Sequence, residues 1–473
     1  MHDRNEAEDE LETRIGEAVA EGIRKGRLAA RENRKTRRIR YSALAGACVL
    51  LAACLFTIRI SPAFASMLRD IPGLEKFVDL IGSGDQGLLQ AVDNDFVQPV
   101  GLSDDQDGRS FTVQGLIVDE MRMVIFYEMS GDRDDGSLRI QSPSLEDANG
   151  NHISAAYSYG NYSGDHQEAR KEHGRYVVRG TVDVWLQDGL SWPDEAALVV
   201  HAGRADRNGG TKSMPEPTTA ALGDEDPTIV VPYDSGPEYR VRFPIDKAGF
   251  ADMKREYPIA RTLDVEGQKI TFDRAVVTPL RIALYLDFAA DNTMQVFDPG
   301  DIRLVDEKGN EWHSKGGWSP ADHPVLYFES NYFRQPKELY VEGSWFRALD
   351  KSKMSIVVDT EKEQILKAPD DKLTLAAVNR TGSYTKLTFR LAGYSNDDRM
   401  SYSLVNYQFT DASGKSYNIA ELPTGVSNTY ADGEPGEQYS YFSVDNNSYK
   451  QPLTFHIFNY PNYIREPYRI RID

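Results

Sequence analysis

Short runs of β-branched and aromatic residues, separated by turn-forming residues, dominate the chain from residue 99 to its end. Met123–Tyr127 and Ala283–Phe288 are two examples. Runs of this length and composition predict β-strands, and no pattern of strands alternating with long helices appears. The chain is therefore expected to be mainly β.

The strand pattern occurs three times with nearly constant spacing. In each case a strand threonine precedes the glycine of a polar turn, by 38, 38 and 40 residues. The three pairs are Thr112 and Gly150, Thr271 and Gly309, and Thr374 and Gly414. Glycine suits such turns because φ must be positive there. A spacing kept over such lengths favours three related, immunoglobulin-like β-sandwich domains.

The domain boundaries follow from the same pattern. We expect the first sandwich at 99–205, a polar linker with Gly and Pro at 206–226, the second sandwich at 227–362 and the third at 363–473. Each sandwich is expected to close with a strand pair. These pairs are 176–179 with 197–200, 339–341 with 356–358, and 453–457 with 468–472.

An apolar run, Tyr41–Ile58, precedes the β region. Its 18 residues carry no charge, and as a helix they would span about 27 Å, close to the hydrocarbon thickness of a bilayer. Basic residues gather just before it, and basic residues stay on the cytoplasmic side of a membrane. The candidate topology signal consists of Arg34, Lys35, Arg37, Arg38 and Arg40. The pattern predicts a single transmembrane helix at 41–58, with the N-terminus in the cytoplasm and the later domains outside the cell membrane.

Two processing alternatives remain open for this run. Ala63-Phe64-Ala65 has the form of a signal-peptidase site, so cleavage would follow Ala65, and Leu51–Cys54 has the form of a lipoprotein box, with lipid on Cys54. A signal peptide normally has only a short basic region before its apolar core. Because about forty residues precede this one, the retained helix is preferred.

Short helices are expected between the membrane and the first sandwich, at 59–98. Pro62 suits a helix start and Pro72-Gly73 interrupts the pattern, so two short amphipathic helices are predicted near the membrane surface. A third helical turn is predicted at Leu88–Val92.

The cytoplasmic segment 1–40 contains one amphipathic pattern. Leu11, Ile15, Val19 and Ile23 recur every four residues, with glutamates on the other faces. A helix of this length is marginal in water unless something covers its apolar face. It is interpreted either as a docking helix for a cytoplasmic protein, or as a solvated tail, or as a lipid-binding segment.

The net charge and the cysteine positions bear on the partners and the stability of the outer domains. The net charge is −19, and residues 41–473 alone carry −21, so nucleic acid is not expected as a direct partner. Both cysteines, Cys48 and Cys54, lie in the apolar run. The sandwiches therefore contain no disulfide, and their stability must come from packed cores.

Catalytic and metal-binding motifs are not found. The histidines lack ligand spacing and no nucleophile motif occurs, so neither an enzyme nor a cofactor is predicted. Asp104–Gly108 resembles a calcium loop, but Ser103 and Gln114 stand where acids are needed, and a solvated turn is preferred. The tyrosine-rich stretches 157–162 and 439–442 are candidate binding loops for an unidentified extracellular ligand, although packing on strands is preferred.

Several short motifs resemble a single-pass bacterial membrane family built around the domain of unknown function 4179. They are Glu21–Arg27, Ser61–Ala65, Ile71–Leu74, Gly87–Val92 and Asp105–Gly108. The second outer unit resembles an immunoglobulin-like module, the domain of unknown function 5643. The residues that carry this likeness are Val241–Asp246, Tyr257-Pro258 and Val265–Thr271.

The resemblance implies a membrane-anchored regulator of the anti-sigma-factor type. Residues 1–40 would then bind an extracytoplasmic-function sigma factor, and the outer domains would sense the cell envelope. This cytoplasmic segment is short and lacks the His/Cys zinc motif of the better-known anti-sigma group. The competing interpretation is an envelope binding or structural protein that has no cytoplasmic partner.

Overall fold

The computed structural model of the chain describes most of its β region. The described residues are 85–132, 138–161, 170–172, 174–187, 189–204, 236–318, 323–380, 384–398, 403–418, 428–432, 436–446 and 448–472. The chain divides into two compact units, 1–75 and 76–473, and all described residues belong to the second. The predicted cytoplasmic helix, the apolar run 41–58, the first two juxtamembrane helices and the linker 206–226 lie outside them. No helix within the described ranges is long and apolar enough to cross a membrane.

Helix α1, Gln86–Asp93, precedes the first strand and confirms the helical turn predicted at 88–92. Asp85 caps its N-terminus, because the Asp85 carboxylate accepts a hydrogen bond from the Leu88 backbone N–H at 2.9 Å. Leu88 and Ala91 face inward and are buried. The helix is therefore anchored both by its cap and by its apolar face.

The first sandwich contains two antiparallel sheets. Its strands are β1 (Gln98–Gln106), β2 (Arg109–Val118), β3 (Arg122–Gly131), β4 (Leu138–Glu146), β5 (Ala155–Asn161), β6 (Arg170–Glu172), β7 (Arg175–Leu186), β8 (Glu195–Arg204) and β9 (Glu238–Pro244). One sheet has the order β1-β2-β3-β7-β5, with β6 also on β7, and the other is β4-β8-β9. Their inner faces meet in one core, where Phe111 lies against Tyr127 and Tyr239 with ring centroids 5.4 and 5.8 Å away.

The second sandwich is one sheet that folds over on itself. Its strands include β10 (Arg255–Val265), β11 (Gln268–Val277), β12 (Arg281–Phe288), β13 (Met294–Pro299), β14 (Arg303–Asp306), β15 (Glu311–Trp318), β16 (Val325–Glu329) and β17 (Leu339–Asp350). The order is β10-β11-β12-β16-β15-β14-β17-β13. β15 makes the fold possible, because its first residues pair with β14 and its last residues pair with β16.

The third sandwich again has two sheets. The remaining strands among the described residues are β18 (Ser355–Asp359), β19 (Gln364–Lys367), β20 (Leu373–Arg380), β21 (Tyr384–Ala392), β22 (Val405–Thr410), β23 (Ser416–Asn418), β24 (Asn428–Asp432), β25 (Glu437–Asp445), β26 (Leu453–Ile457) and β27 (Tyr463–Ile472), of which β27 pairs with β17 of the second sandwich. The sheets are β19-β18-β26-β22-β23 and β20-β21-β25-β24. Phe442 and Phe455 meet edge-on in the core at 4.8 Å between ring centroids.

The first two sandwiches share a cross-strand hydrogen bond and a turn at equivalent positions. Ser103 and Thr112 share a hydroxyl–hydroxyl hydrogen bond across β1 and β2, and Thr262 and Thr271 share the same bond across β10 and β11, both at 2.9 Å. Each residue is 159 positions from its counterpart. The turns that follow, Asp107-Gly108 and Glu266-Gly267, also match, since φ is positive at all four residues. Asp104–Gly108 is thus the end of a hairpin with two left-handed turn residues.

One turn recurs in all three sandwiches. Asp147, Asp306 and Asp411 each accept hydrogen bonds through Oδ1 from the backbone N–H groups two and four residues later. The glycines of these turns, at 150, 309 and 414, have φ of 82°, 81° and 80°. The glycine spacing noted in the sequence therefore marks equivalent structural positions.

The second and third sandwiches exchange a strand. In the first sandwich β8 lies between β4 and β9. The strand equivalent to β8 in the second sandwich is β17, which lies between β14 and β27. In the third sandwich it is β26, which lies between β22 and β18. β18 follows β17 directly in the chain but joins the third sandwich, whereas β27 follows β26 but joins the second. Tyr468 and Ile470 of β27 accordingly belong to the second core.

The predicted strand pairs are wrong, because in none of the three are the two strands hydrogen-bonded to each other. β7 and β8 lie in different sheets, and the other two pairs are separated by the exchange. The cores also cross the predicted domain boundaries. Residues 463–472, predicted in the third sandwich, belong to the second core, and residues 355–359, predicted in the second, belong to the third core. β9 and Phe250 follow the linker in sequence but belong to the first core. Residue composition predicts that a segment is a strand but carries little information about its partner.

Deleting residues 463–472 should unfold the second sandwich while leaving the first intact. The deletion removes four buried side chains from the second core, Ile464, Tyr468, Ile470 and Ile472. Losses of about 2–5 kcal/mol for each large buried side chain together exceed the stability of an ordinary domain. Hydrogen-exchange mass spectrometry should show loss of protection in β11 and β12 and normal protection in β2 and β3. Arg471→Ala, an exposed position on the same strand, is the control. Unchanged protection of β12 in the deletion variant would contradict the strand exchange.

The third sandwich should lose stability in acid through Asp411. The Ser413 hydroxyl and several backbone N–H groups lower the pKa of Asp411 from 3.8 to about 2. Because the folded state binds the proton of Asp411 less tightly than the unfolded state does, the ionised carboxylate contributes to the free energy of unfolding. This contribution is complete above about pH 4 and disappears as the pH falls through 2. Asp411→Asn should therefore be less stable at neutral pH and lose less between pH 4 and pH 2. Pulse proteolysis in urea measures both, with thermolysin at pH 7 and pepsin at pH 4 and pH 2, and with the exposed Asp371→Asn as control. If the stability of Asp411→Asn changed with pH in parallel with that of wild type, the role of Asp411 would be refuted.

Candidate functional site

Two equivalent hairpin turns meet at the boundary of the first and second sandwiches. They are Asp119–Arg122, between β2 and β3, and Thr278–Arg281, between β11 and β12. The Asp119 carboxylate accepts a hydrogen bond from the Leu280 N–H at 2.7 Å, and Arg122 Nη1 donates to the Leu280 carbonyl at 3.3 Å. The turns thus hold the two sandwiches together, and this contact is called the first junction below.

Arg122 is the centre of the first junction. Its guanidinium donates to both oxygens of Asp183, at 2.9 and 2.5 Å, and to Asp85 at 2.7 Å. Arg122 is only 9% exposed. Burial alone would lower the pKa of Arg122, but Asp183 and Asp85 together raise it above its ordinary value. The arginine is therefore held in its charged form, with each carboxylate belonging to a different element.

Arg281, the counterpart of Arg122, is held differently. Its guanidinium lies over the rings of Tyr327 and Trp185, 4.2 and 5.2 Å from their centroids. Burial, together with the nearby Arg122, lowers the pKa of Arg281 to about 10. Aromatic faces attract a cation without neutralising it, so Arg281 adds a second positive charge to the buried site beside Arg122.

Helix α1 is fastened to this junction at its N-terminal end. Asp85 both caps the helix and pairs with Arg122. The Gln86 N–H donates to Glu329 at 3.2 Å, and Glu329 also pairs with Lys315 at 2.9 Å. Gly87 lies so close to Ser330 that an added Cβ would come within 2.7 Å of its backbone nitrogen. The start of α1 therefore contacts both sandwiches.

A second buried arginine joins the second and third sandwiches. Arg347 of β17 binds Asp398 through Nε and Nη2 and donates from Nη1 to Asp298 at 2.8 Å. The Tyr463 hydroxyl donates to Asp398 at 2.9 Å, and Asn459 donates to Asp298 at 2.8 Å. Each successive boundary of the chain is thus closed around one arginine and two aspartates.

The candidate partner-binding residues Leu11, Ile15, Val19 and Ile23, and the basic topology residues Arg34 to Arg40, lie outside the described residues. Within the described ranges, no three His, Cys, Asp or Glu side chains come together as metal ligands. Tyr157 packs against the first core and its hydroxyl accepts from the Leu145 N–H, while Phe442 lies in the third core. Both tyrosine-rich stretches are thus at least partly structural, although Tyr159 is 46% exposed.

The first junction is not predicted by the sequence patterns. Arg122 and Arg281 are the first residues of the equivalent strands β3 and β12. A signal was present, because a charged residue at the same place in two repeats is unusual at the start of an otherwise apolar strand. Its partners could not be found, since Asp85 and Asp183 are 37 and 61 residues away in sequence.

Comparison with known families identifies two segments. Residues 34–131 match the domain of unknown function 4179. Residues 254–367 match the family of unknown function 5643. The two occur in the order expected from the sequence motifs. The second match begins one residue before β10, so Val241–Asp246, assigned from sequence to the second unit, precedes it and lies in the first sandwich with β9.

No curated protein matches the chain. Among solved structures, the chain is similar to the conserved domain protein from Bacillus anthracis, with 14% identity and a TM-score of 0.33 over 57% of this chain and 84% of that chain.

Asp85→Asn should release α1 from the first junction without removing its cap. Asparagine caps helices about as well as aspartate, but it loses the charged hydrogen bond to Arg122, which is worth about 1.5–3 kcal/mol. Amide exchange in residues 86–93 should therefore accelerate by roughly ten-fold or more, as measured by hydrogen-exchange mass spectrometry. Asp93→Asn, an exposed change in the same helix, is the matched control. Equal exchange in both variants would show that Asp85 acts only as a cap.

Proposed function

We propose that the chain is a single-pass membrane protein of the anti-sigma-factor type, acting in envelope signalling. In this proposal residues 41–58 cross the bilayer and the three sandwiches lie outside the cell membrane. Residues 1–40 bind a cytoplasmic extracytoplasmic-function sigma factor through Leu11, Ile15, Val19 and Ile23. The outer sandwiches respond to an extracellular ligand that remains to be identified.

The observation that carries the proposal is the attachment of α1. This helix is the described element that follows the proposed membrane segment in sequence, and its first residue and cap touch both sandwiches through Arg122 and Glu329. A change in the contact between the sandwiches would therefore alter the start of α1. A regulator needs such a connection, because an outer event must change the segment that leads to the membrane.

The electrostatics of the chain are compatible with this role. Residues 41–473 carry a net charge of −21, which disfavours binding to nucleic acid and anionic polymers. The basic residues 34–40 would lie against the anionic inner face of the membrane. No catalytic activity or cofactor forms part of the proposal, which depends on binding alone.

An envelope binding or structural protein is the second candidate. It is favoured by the two buried arginine junctions, since sandwiches fixed at both boundaries make a stiff arm suited to holding a partner in place. In that case the segment 1–40 only orients the protein in the membrane.

Ile15→Asp combined with Val19→Asp should separate the two functions. Charged residues on the apolar face of an amphipathic helix prevent docking, because the face must be buried against its partner. The measurement is a crosslinking pull-down of membrane-embedded full-length protein through a tag at Met1, followed by mass spectrometry. A sigma factor should be recovered with wild type and lost with the double variant.

The matched control changes the opposite face of the same helix, with Glu12→Gln and Glu17→Gln. It should recover the sigma factor as wild type does. Failure to recover any cytoplasmic protein with wild type would refute the regulator function and leave the structural one. Equal recovery with both double variants would mean that the contact lies elsewhere in the segment.

A further inference from the structure

An open cavity of about 520 Å³ lies where the C-terminal strand joins the second sandwich. Its walls come from β17, β27 and the residues around the start of β14. The polar lining residues are Asp301, Arg303, Glu342, Ser344, Tyr468 and Arg469. Clefts of about 300–1,000 Å³ are typical of small-molecule sites. This site is called the seam cavity.

A break in the β17–β27 ladder creates the seam cavity. The pairing register shifts between Gly343 and Trp345, so the backbone N–H groups at the break need other acceptors. Asp301 supplies them, since its carboxylate accepts from the Ser344 N–H at 2.8 Å and from the Trp345 N–H at 3.3 Å. The Ser344 hydroxyl donates to the same carboxylate at 2.6 Å. The irregular wall is therefore a stable feature.

The charges on the wall balance. Glu342 pairs with Arg303 at 3.0 Å on one side and with Arg469 on the other. With Asp301, the lining carries two acidic and two basic side chains. A charged ligand would therefore be attracted by two of these side chains and repelled by the other two. The cavity has no net charge that would hold an anion or a cation.

One polar group at the cavity lacks a hydrogen-bond partner. Tyr468 is 8% exposed, and within the described residues its hydroxyl makes no hydrogen bond. The hydroxyl lies against Gly343, in space that a Cβ at that position would occupy. A buried hydroxyl without a partner is unfavourable in the folded chain.

We propose that the seam cavity binds a neutral, hydroxyl-rich ligand of the saccharide class. Sugar hydroxyls both donate and accept, so they fit a wall on which carboxylate acceptors alternate with guanidinium and hydroxyl donors. The absence of net charge on the wall selects against charged ligands. The inference does not depend on a cytoplasmic partner of the chain and goes beyond the signalling function.

Occupancy of the cavity has a structural consequence. A ligand that contacts Glu342 of β17 and Arg469 of β27 bridges the two strands of the exchange. Since it binds only the paired form, it stabilises the folded state by mass action. Binding should therefore raise the unfolding temperature as well as produce a calorimetric signal.

The test is isothermal titration calorimetry on the full-length protein in lipid nanodiscs. The probes are glucose, N-acetylglucosamine and its β-1,4-linked disaccharide, with gluconate as an anionic comparison. Wild type should bind at least one neutral probe saturably and bind gluconate more weakly. Arg469→Ala should weaken the binding at least ten-fold.

Arg471→Ala is the matched control, because Arg471 lies on the same strand and pairs outside the cavity with Glu338, the residue before β17. It should bind like wild type, and near-ultraviolet circular dichroism should show both variants folded. Ser344→Ala, which leaves every ion pair in place, should also weaken binding. No saturable binding of any neutral probe, stronger binding of gluconate, or equal affinity in the Arg469→Ala and Arg471→Ala variants would each overturn the proposal.

Discussion

Two buried arginines, each neutralised by two aspartates, determine how the three sandwiches are arranged. An ion pair taken out of water is stable only when its geometry is good and its remaining hydrogen-bonding groups are satisfied. Arg122 and Arg347 meet this requirement with carboxylates from different elements. At the second boundary, moving one sandwich against its neighbour would separate Arg347 from Asp398 and leave both charges buried. At the first boundary, the same motion would break the hydrogen bonds of Asp119 and Arg122 to Leu280. The boundaries are therefore specific in geometry, whereas apolar contacts alone would allow sliding.

The strand exchange adds a second constraint, which acts on the backbone. β18 and β27 pass between the second and third sandwiches in opposite directions, and Tyr463 at the start of β27 also takes part in the Arg347 cluster. The same few residues thus close the boundary and complete the second core. The seam cavity lies farther along β27, where an irregular ladder and an unpaired tyrosine hydroxyl occur together.

The sequence predicted those features of the structure that depend on short segments of the chain. The mainly β character, the helical turn at 88–92 and the equivalent glycine turns were correct, because strand composition and positive φ are properties of short segments. The strand partners, the Arg122 cluster and the place of residues 241–246 were not predicted. These depend on contacts between residues far apart in the chain, such as β17 with β27, and a single sequence contains no direct signal for them. The equivalence of Arg122 and Arg281 was visible as a repeat, but repetition does not reveal which carboxylates converge on one of them.

The exchange of β18 and β27 also bears on the order in which the molecule can fold during synthesis. Residues 463–472 are synthesised more than a hundred residues after β17, yet the second core needs Ile464 and Ile470. The first sandwich can therefore form while the chain is still growing, as N-terminal domains generally do. The second must wait until β27 has been synthesised, and it then closes together with the third. A nascent chain would expose the unpaired edge of β17 throughout this interval, so a folding helper that binds open strand edges would find its target there.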